Sequence, residues 1–155
     1  MIFIALGSNL GDREGNLAAA RMALMLHDVE IVAQSRVVQT PALLPEGAPA
    51  EWNLPYLNQV VEVQTRLSPH ELLTCLKLIE SDLGRQNRPH WAPREMDLDL
   101  LCYGDEIIVT DVLTLPHAQM DSRDFVLKPL MEIAPHWRHP VLGKTAEELL
   151  AEMAR

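Results

Sequence analysis

The first half of the chain alternates apolar runs with segments that favour helix. Residues 2–6 are apolar without interruption, which is typical of a buried strand. The run 17–26 is rich in Ala, Leu and Met and predicts a helix, with Asp12 as a plausible N-cap. The β-branched residues of 29–40 and the alternating apolar positions of 56–65 predict two further strands.

Capping residues define the next helix. Ser68 is a favourable N-cap, Pro69 suits the first helical position, and Glu71 completes a capping box. We therefore expect a helix that runs to about Asp82 and ends at Gly84, which can adopt the left-handed conformation of a C-cap. The pattern depends only on residues close in sequence.

The remaining segments predict a hairpin and two helices. Extended runs at 97–103 and 106–109 flank Gly104-Asp105, which is typical of a β-hairpin. A helix is predicted over 123–133, with Asp121 or Ser122 near its start, and a terminal helix follows the capping box of Thr145 and Glu148. This mixed order of strands and helices indicates an α+β fold rather than a doubly wound parallel sheet.

Length and composition fit a single globular domain. The 155 residues correspond to one domain, 1–155, large enough to bury a core. No apolar run reaches the ~18 residues needed to span a membrane, and the apolar N-terminus is short and lacks a basic leader. The two cysteines, Cys75 and Cys102, have no paired spacing, so we expect free thiols and a cytoplasmic protein.

The charge distribution identifies one unusual segment. The net charge is −9, the opposite of what a protein that binds nucleic-acid backbones normally carries. Within this acidic chain, residues 85–94 contain three arginines, one histidine and no acid. Two interpretations are open, a solvated basic loop or a local anion site.

Asp97 and Asp99 are the strongest candidates for chemistry. On a strand they point to the same face, roughly 6.5–7 Å apart at Cα, while Leu98 and Leu100 point into the core. Two neighbouring carboxylates repel, and a divalent cation between them would remove the repulsion. The alternative is a polar strand face in contact with solvent.

The neighbouring basic segment favours the metal interpretation. Arg94 lies three residues before Asp97, and guanidinium groups beside metal-binding carboxylates are the combination that a polyphosphate requires. Trp91 in the same segment is suited to stack on a planar ring, or alternatively to anchor the loop on the core.

These residues resemble a known family. The stretch 91–101, Trp-Ala-Pro-Arg-Glu-Met-Asp-Leu-Asp-Leu-Leu, resembles the signature of 6-hydroxymethyl-7,8-dihydropterin pyrophosphokinase, an enzyme of folate biosynthesis. Further blocks are similar to the family in the same order along the chain: 4–10, 39–43, 55–58, 79–85, 115–117 and 122–125.

The resemblance implies a ferredoxin-like α+β fold and one reaction. The pterin hydroxymethyl oxygen would attack the β-phosphorus of ATP, giving the pterin diphosphate and AMP. Asp97 and Asp99 would bind two Mg²⁺ ions, Arg94 would contact phosphate, and Arg85 would close the loop. The resemblance further implies a nucleotide-binding set of five residues: Lys77, Glu80, Arg88, His117 and Arg123. It also implies a pterin-binding set: Thr40, Pro41, Leu43, Tyr56, Asn58, Trp91 and Phe125.

The chain departs from the family pattern at three places. The loop between Gly84 and Trp91 is one residue shorter than in the family, so we assign the second loop arginine to Arg88, with the neighbouring Asn87 as the alternative. Ala118 follows His117 where an aromatic residue is common, and Lys77 stands where glutamine is common. We expect the loops 41–55 and 85–94 to be mobile without ligand and to close over it.

Alternatives from other functional classes remain open on the sequence. One alternative is a binding module of the same fold that lacks transfer activity. The other is an RNA-binding ferredoxin-like domain, which the acidic net charge of the chain disfavours. Either Asp97 or Asp99 would accept the hydroxyl proton. A monomer is the default expectation, with ATP and a reduced pterin as partners and with neither nucleic acid nor membrane.

Overall fold

A computed structural model describes all 155 residues, and its centre is an antiparallel sheet. Its strands are β1 (Ile2–Ser8), β2 (Glu30–Gln34), β3 (Val38–Thr40), β4 (Tyr56–Gln64) and β5 (Asp97–Tyr103). The sheet order is β2-β4-β1-β5, and β3 pairs with the opposite end of β4. With the first two helices this is the β-α-β-β-α-β arrangement of ferredoxin-like folds, so the predicted fold class is confirmed.

The helices lie on both faces of the sheet. α1 (Arg13–Leu26) and α2 (Pro69–Asp82) cover one face and enclose a first core that includes Ile4, Leu72 and Leu100. α3 (Asp124–Ile133) and α4 (Ala146–Met153) cover the other face and enclose a second core that includes Phe3 and Leu127. A small hairpin of β6 (Ile108–Val109) and β7 (Thr114–Leu115) and two 3₁₀ turns, Ala50–Trp52 and Met120–Ser122, complete the chain.

The single strand predicted over 29–40 is wrong, because the structure contains two strands there. Both pair with β4, but the chain leaves the ladder between them at Ser35. The Ser35 backbone N–H donates to Val60 O at 2.9 Å, and its hydroxyl accepts from Val60 N at 3.0 Å. The serine thus satisfies the backbone of β4 where strand pairing stops.

The predicted pairing of 97–103 with 106–109 is also wrong. β5 pairs with β1, and the segment after Gly104 pairs with β7 instead. β1 is a central strand that is buried on both faces, so pairing with it buries apolar residues of β5 in both cores. A short hairpin on the surface offers no comparable burial.

The capping predictions are confirmed where local residues define them. The Ser68 hydroxyl accepts from Glu71 N at 3.2 Å, and the Glu71 carboxylate accepts from Ser68 N at 2.9 Å. Asp12 caps α1 by accepting from Gly15 N at 3.1 Å, although the helix begins at Arg13, earlier than predicted. Thr145 and Glu148 form the second capping box.

The alternation predicted for β5 is confirmed. Leu98 and Leu100 are buried in the first core, while Asp97 and Asp99 are half-buried on the opposite face, towards α3. α3 begins within one residue of its predicted start. None of the helices combines the length and the apolar character that a membrane-spanning segment requires.

Candidate active site

An open cleft of about 860 Å³ lies at one end of the sheet, on the α3 side. β1, β4, β5, the basic loop 85–94 and the start of α3 all contribute to its walls. Twelve of the residues predicted for the site line this first cleft: Thr40, Pro41, Leu43, Tyr56, Asn58, Trp91, Arg94, Asp97, Asp99, His117, Arg123 and Phe125. The sheet therefore brings together segments that are distant in sequence.

The two aspartates face the first cleft from the end of β5. Burial and the neighbouring Asp97 carboxylate raise the pKa of Asp99 to about 7. Like charges held side by side in a partly buried position are destabilising unless a cation compensates them. The pair is thus arranged as a binding site for positive charge.

Two arginines of the basic loop contact Asp97. The Nη1 atoms of Arg85 and Arg94 lie 3.1 Å and 3.4 Å from Asp97 Oδ1. Both arginine side chains are largely shielded from solvent, with exposures of 26% and 20%. This places two fixed positive charges beside the aspartates, as phosphate recognition requires.

Glu80 links α2 to β5 directly between the aspartates. Its Oε2 atom accepts from the backbone N–H of Leu98 at 2.8 Å and from Arg85 Nη1 at 2.6 Å. Burial raises the pKa of Glu80, while the hydrogen bond from Leu98 and the charge of Arg85 oppose that shift. The contacts of this carboxylate are with protein groups, so its nucleotide-binding role stays a prediction.

The remaining predicted nucleotide-binding residues surround a second cleft. Lys77, Glu80 and Arg88 line this cleft of about 700 Å³, together with Arg85, which was predicted to be catalytic, and its walls contain no hydrophobic residue. Arg94 lines both clefts and so marks their junction. The predicted site is therefore divided into an aromatic compartment and a charged one, with Asp97 in contact with arginines of the second.

The aromatic compartment presents hydrogen-bonding groups beside flat rings. Asn58 Nδ2 donates to Thr40 Oγ1 at 2.6 Å, which fixes the orientation of the amide. Burial and the charge of Asp97 raise the pKa of Tyr56. The Arg123 guanidinium lies 5.6 Å from the centroid of the Phe125 ring. Such a compartment suits a planar heterocycle with polar edges.

His117 is positioned as a neutral imidazole. Burial, and secondarily the charge of Arg123, lowers the pKa of His117. Its Nδ1 atom accepts from Gln119 N at 3.2 Å, so the proton lies on Nε2. The ring can therefore donate one hydrogen bond into the first cleft.

Sequence reasoning missed several residues of the site. Gly7, Gln59 and His90 line the first cleft, although Gly7 belongs to a segment already recognised as similar to the family. Asn9 is buried and joins both long loops, since its Oδ1 accepts from Arg94 N at 2.8 Å and its Nδ2 donates to Leu54 O at 3.1 Å. Nothing local in the sequence indicates these contacts.

The donor set restricts the kind of metal that fits. No group of three or more His, Cys, Asp or Glu side chains is arranged to hold a metal ion. Asp97 and Asp99 supply oxygen donors from one strand, and Mg²⁺ commonly combines one or two carboxylates with phosphate oxygens and water. The two aspartates fit magnesium that is bound together with a phosphate substrate.

Fold and site together define a class of protein, a ferredoxin-like α+β domain with an aromatic cleft that adjoins a charged one. The family model described as 7,8-dihydro-6-hydroxymethylpterin-pyrophosphokinase (HPPK) matches residues 3–135. The chain belongs to this family, and the predicted resemblance to it is confirmed. The kinase activity of the family implies ATP as co-substrate and a pterin as acceptor.

Relatives include both single-function and bifunctional proteins. The chain is 38% identical over 97% of its length to the 2-amino-4-hydroxy-6-hydroxymethyldihydropteridine pyrophosphokinase of Aquifex aeolicus, covering 91% of that protein. The corresponding enzyme of Haemophilus influenzae is 41% identical over 85% of the chain and is 80% covered. The folate synthesis bifunctional protein of Chlamydia trachomatis is 38% identical over 99% of the chain, which spans only 35% of that relative.

Solved structures support the fold. The chain aligns with the crystal structure of wild-type Plasmodium falciparum HPPK-DHPS with a TM-score of 0.70 at 15% identity. The alignment covers 97% of this chain and 44% of that one. At this identity the likeness concerns the fold alone.

Proposed function

We propose that the chain transfers pyrophosphate from ATP to the hydroxymethyl group of 6-hydroxymethyl-7,8-dihydropterin. The observation that carries this proposal is the position of Asp97, which faces the aromatic cleft and also contacts Arg85 and Arg94 of the charged cleft. A ring bound in the first cleft and a polyphosphate bound in the second would therefore meet at the aspartates. The family supplies the identity of both substrates.

The transfer exchanges one phosphorus–oxygen bond for another. The hydroxyl oxygen bonds to the β-phosphorus, and the bond between that phosphorus and the bridging oxygen of the α-phosphate breaks, so that AMP leaves. The hydroxyl proton would pass to Asp97 or Asp99. Asp97 and Asp99 would hold two Mg²⁺ ions, which when bound neutralise phosphate charge and make the attacking hydroxyl more acidic. Arg94 and Arg85 would contact the phosphates, since their guanidinium groups lie next to Asp97.

The two clefts give the other predicted residues their roles. At the acceptor end, Asn58 and Thr40 would read the polar edge of the pterin, and the rings of Tyr56, Phe125 and Trp91 would contact its faces. Pro41 and Leu43 would complete the apolar wall of the same cleft. Four further side chains would hold the nucleotide: Lys77 and Glu80 from the charged cleft, and His117 and Arg123 from the first cleft. The resemblance assigns the same role to Arg88, whose guanidinium group pairs with Glu95 instead.

We further propose that residues 1–155 act as one monomeric domain in the cytoplasm. One continuous sheet separating two cores supports a single folding unit. Two free, buried cysteines suit a reducing compartment. Sedimentation velocity at micromolar concentration tests the monomer, and a stable dimer would contradict it.

The decisive experiment measures AMP formation from ATP and Mg²⁺ with and without the pterin alcohol. We expect pterin-dependent AMP release, reduced at least about 100-fold in Asp97→Asn and Asp99→Asn and abolished by chelating the metal. Asp105→Asn, which changes an exposed carboxylate in the turn after β5, is the matched control and should retain the wild-type rate. Wild-type rates in both aspartate variants, or AMP release independent of pterin, would contradict the proposal.

A further inference from the structure

One of the three arginines in the basic loop has its partner outside the reaction centre. Whereas Arg85 and Arg94 contact Asp97, Arg88 pairs with Glu95. Nη2 of Arg88 lies 2.6 Å from Glu95 Oε1 and Nη1 lies 2.7 Å from Oε2, so the pair is bidentate. The two side chains are only 27% and 17% exposed, and this shielding limits screening by water and salt.

Glu95 is the fixed end of this pair. Its carbonyl oxygen accepts from Asn16 Nδ2 of α1 at 3.0 Å, and the preceding residue, Arg94, donates its backbone N–H to Asn9 Oδ1 at 2.8 Å. Both anchors belong to the segment that follows β1 and begins α1. Arg88 lies in the middle of the basic loop and has one other polar contact, a 3.5 Å interaction with the carbonyl of Pro93.

The ion pair joins the two ends of the segment 88–95, so that this segment forms a closed ring. The residues in the middle of the ring line the first cleft. Between Arg88 and Glu95 lie His90 and Trp91, whose ring centroids are 4.4 Å apart and whose side chains line the cleft. Trp91 has a φ of 77°, a left-handed conformation that a bulky residue keeps only when its surroundings hold it. The bidentate ion pair is the shorter of two side-chain links across the base of this ring, the other being the 3.5 Å contact of Arg88 with the Pro93 carbonyl.

We propose that the Arg88–Glu95 ion pair is a latch that holds residues 88–95, and with them Trp91, against the acceptor cleft. Glu95 is then a positioning residue for the reaction, and Arg88 stabilises the loop rather than binding phosphate. Asn87, which also lines the charged cleft, would then take the position of the family's second loop arginine. For its kinetic readout this inference rests on the proposed pyrophosphokinase activity.

The kinetic test compares Arg88→Gln, Glu95→Gln and the double variant. A latch predicts that both single variants raise the KM for the pterin alike, about three- to tenfold, and that the double variant is no worse than either. Glu152→Gln is the matched control, because Glu152 on α4 pairs with Lys144 and lines neither cleft, and it should leave both KM values unchanged. A rise in the KM for ATP in Arg88→Gln but not in Glu95→Gln would overturn the latch and make Arg88 a phosphate ligand.

Hydrogen exchange of the ligand-free protein provides a readout that does not depend on activity. We expect faster amide exchange in the segment 86–93 in both single variants and no change in Glu152→Gln, because loss of the pair frees the ring to open. Unchanged exchange in Arg88→Gln and Glu95→Gln would overturn the latch. If the wild-type protein is inactive but exchange is faster in Arg88→Gln and Glu95→Gln, the proposed function is contradicted while the latch is supported.

Discussion

At the scale of single residues, the site contains two features that are unfavourable by themselves. Like-charged carboxylates lie side by side, and backbone and side-chain atoms pack very closely. Asp97 and Asp99 stay adjacent because the period of a strand places them on one face, and Arg85 and Arg94 partly compensate the first of them. Close packing is equally important on the acceptor side. Gly7 lies directly opposite Asn58 across the β1–β4 ladder, at the wall of the first cleft.

Substituting Gly7 tests how closely that wall is packed. A Cβ atom at this position would lie 3.1 Å from Asn58 Oδ1 and 3.5 Å from a Tyr56 ring carbon. Because the hydrogen bond to Thr40 holds the Asn58 amide, we expect Gly7→Ala to displace it and raise the KM for the pterin about fivefold, with a loss of stability near 1 kcal/mol. The KM for ATP serves as the internal control, and an equal rise in both constants would contradict a role confined to the acceptor.

At the scale of elements, predictions that depend on residues close in sequence are confirmed, whereas predictions of strand length and strand pairing are wrong. The capping boxes of α2 and α4 formed as predicted because each involves residues only three positions apart. The segment 29–40 carries strand-forming residues throughout, yet it divides at Ser35 because β4 bonds to that serine through both its backbone and its hydroxyl. Strand propensity alone does not report such an interruption.

The α2 cap offers a prediction for stability without a change in activity. Ser68→Ala removes the acceptor for the backbone N–H of Glu71, and we expect it to cost about 1 kcal/mol of unfolding free energy, measured in urea. Thr145→Ala, at the equivalent position of α4, should cost a similar amount. Because neither cap lines a cleft, both variants should keep the wild-type KM values, and a raised KM in Ser68→Ala would contradict this separation.

At the scale of the molecule, one sheet divides two cores that have different relations to the site. The first core joins the sheet to α1 and α2, and the second joins it to α3, whose start supplies Arg123 and Phe125 to the acceptor cleft. The second core should therefore influence substrate binding more directly than the first.

Matched truncations in the two cores test this difference. Leu72 on α2 and Leu127 on α3 are both fully buried, so replacing either with alanine should cost about 2–5 kcal/mol of unfolding free energy. Only Leu127→Ala is expected to raise the KM for the pterin, because it loosens the packing of α3 beneath Phe125. Urea unfolding measures the stability of each variant, and equal KM values in two comparably destabilised variants would contradict the assignment.

Much of the candidate site was predictable because its strongest features are local. Asp97, Asp99 and the neighbouring Arg94 line the first cleft, as do the aromatic and amide residues of the recognised segments. The contacts of Asn9 and the pairing of Arg88 with Glu95 were not predictable in this way. Each depends on where loops and helices come to lie after folding.

The sequence by itself therefore determined the ends of α2, the face on which Asp97 and Asp99 stand, and the family to which the chain belongs. Helix capping and strand alternation depend on residues two to four positions apart, so they can be predicted without knowledge of any tertiary contact. Only the tertiary structure decided that β5 pairs with β1, that 29–40 divides into two strands, and which arginine meets which carboxylate. Those outcomes depend on competition among distant segments for burial and for hydrogen-bonding partners, and that competition is resolved only when the whole chain packs.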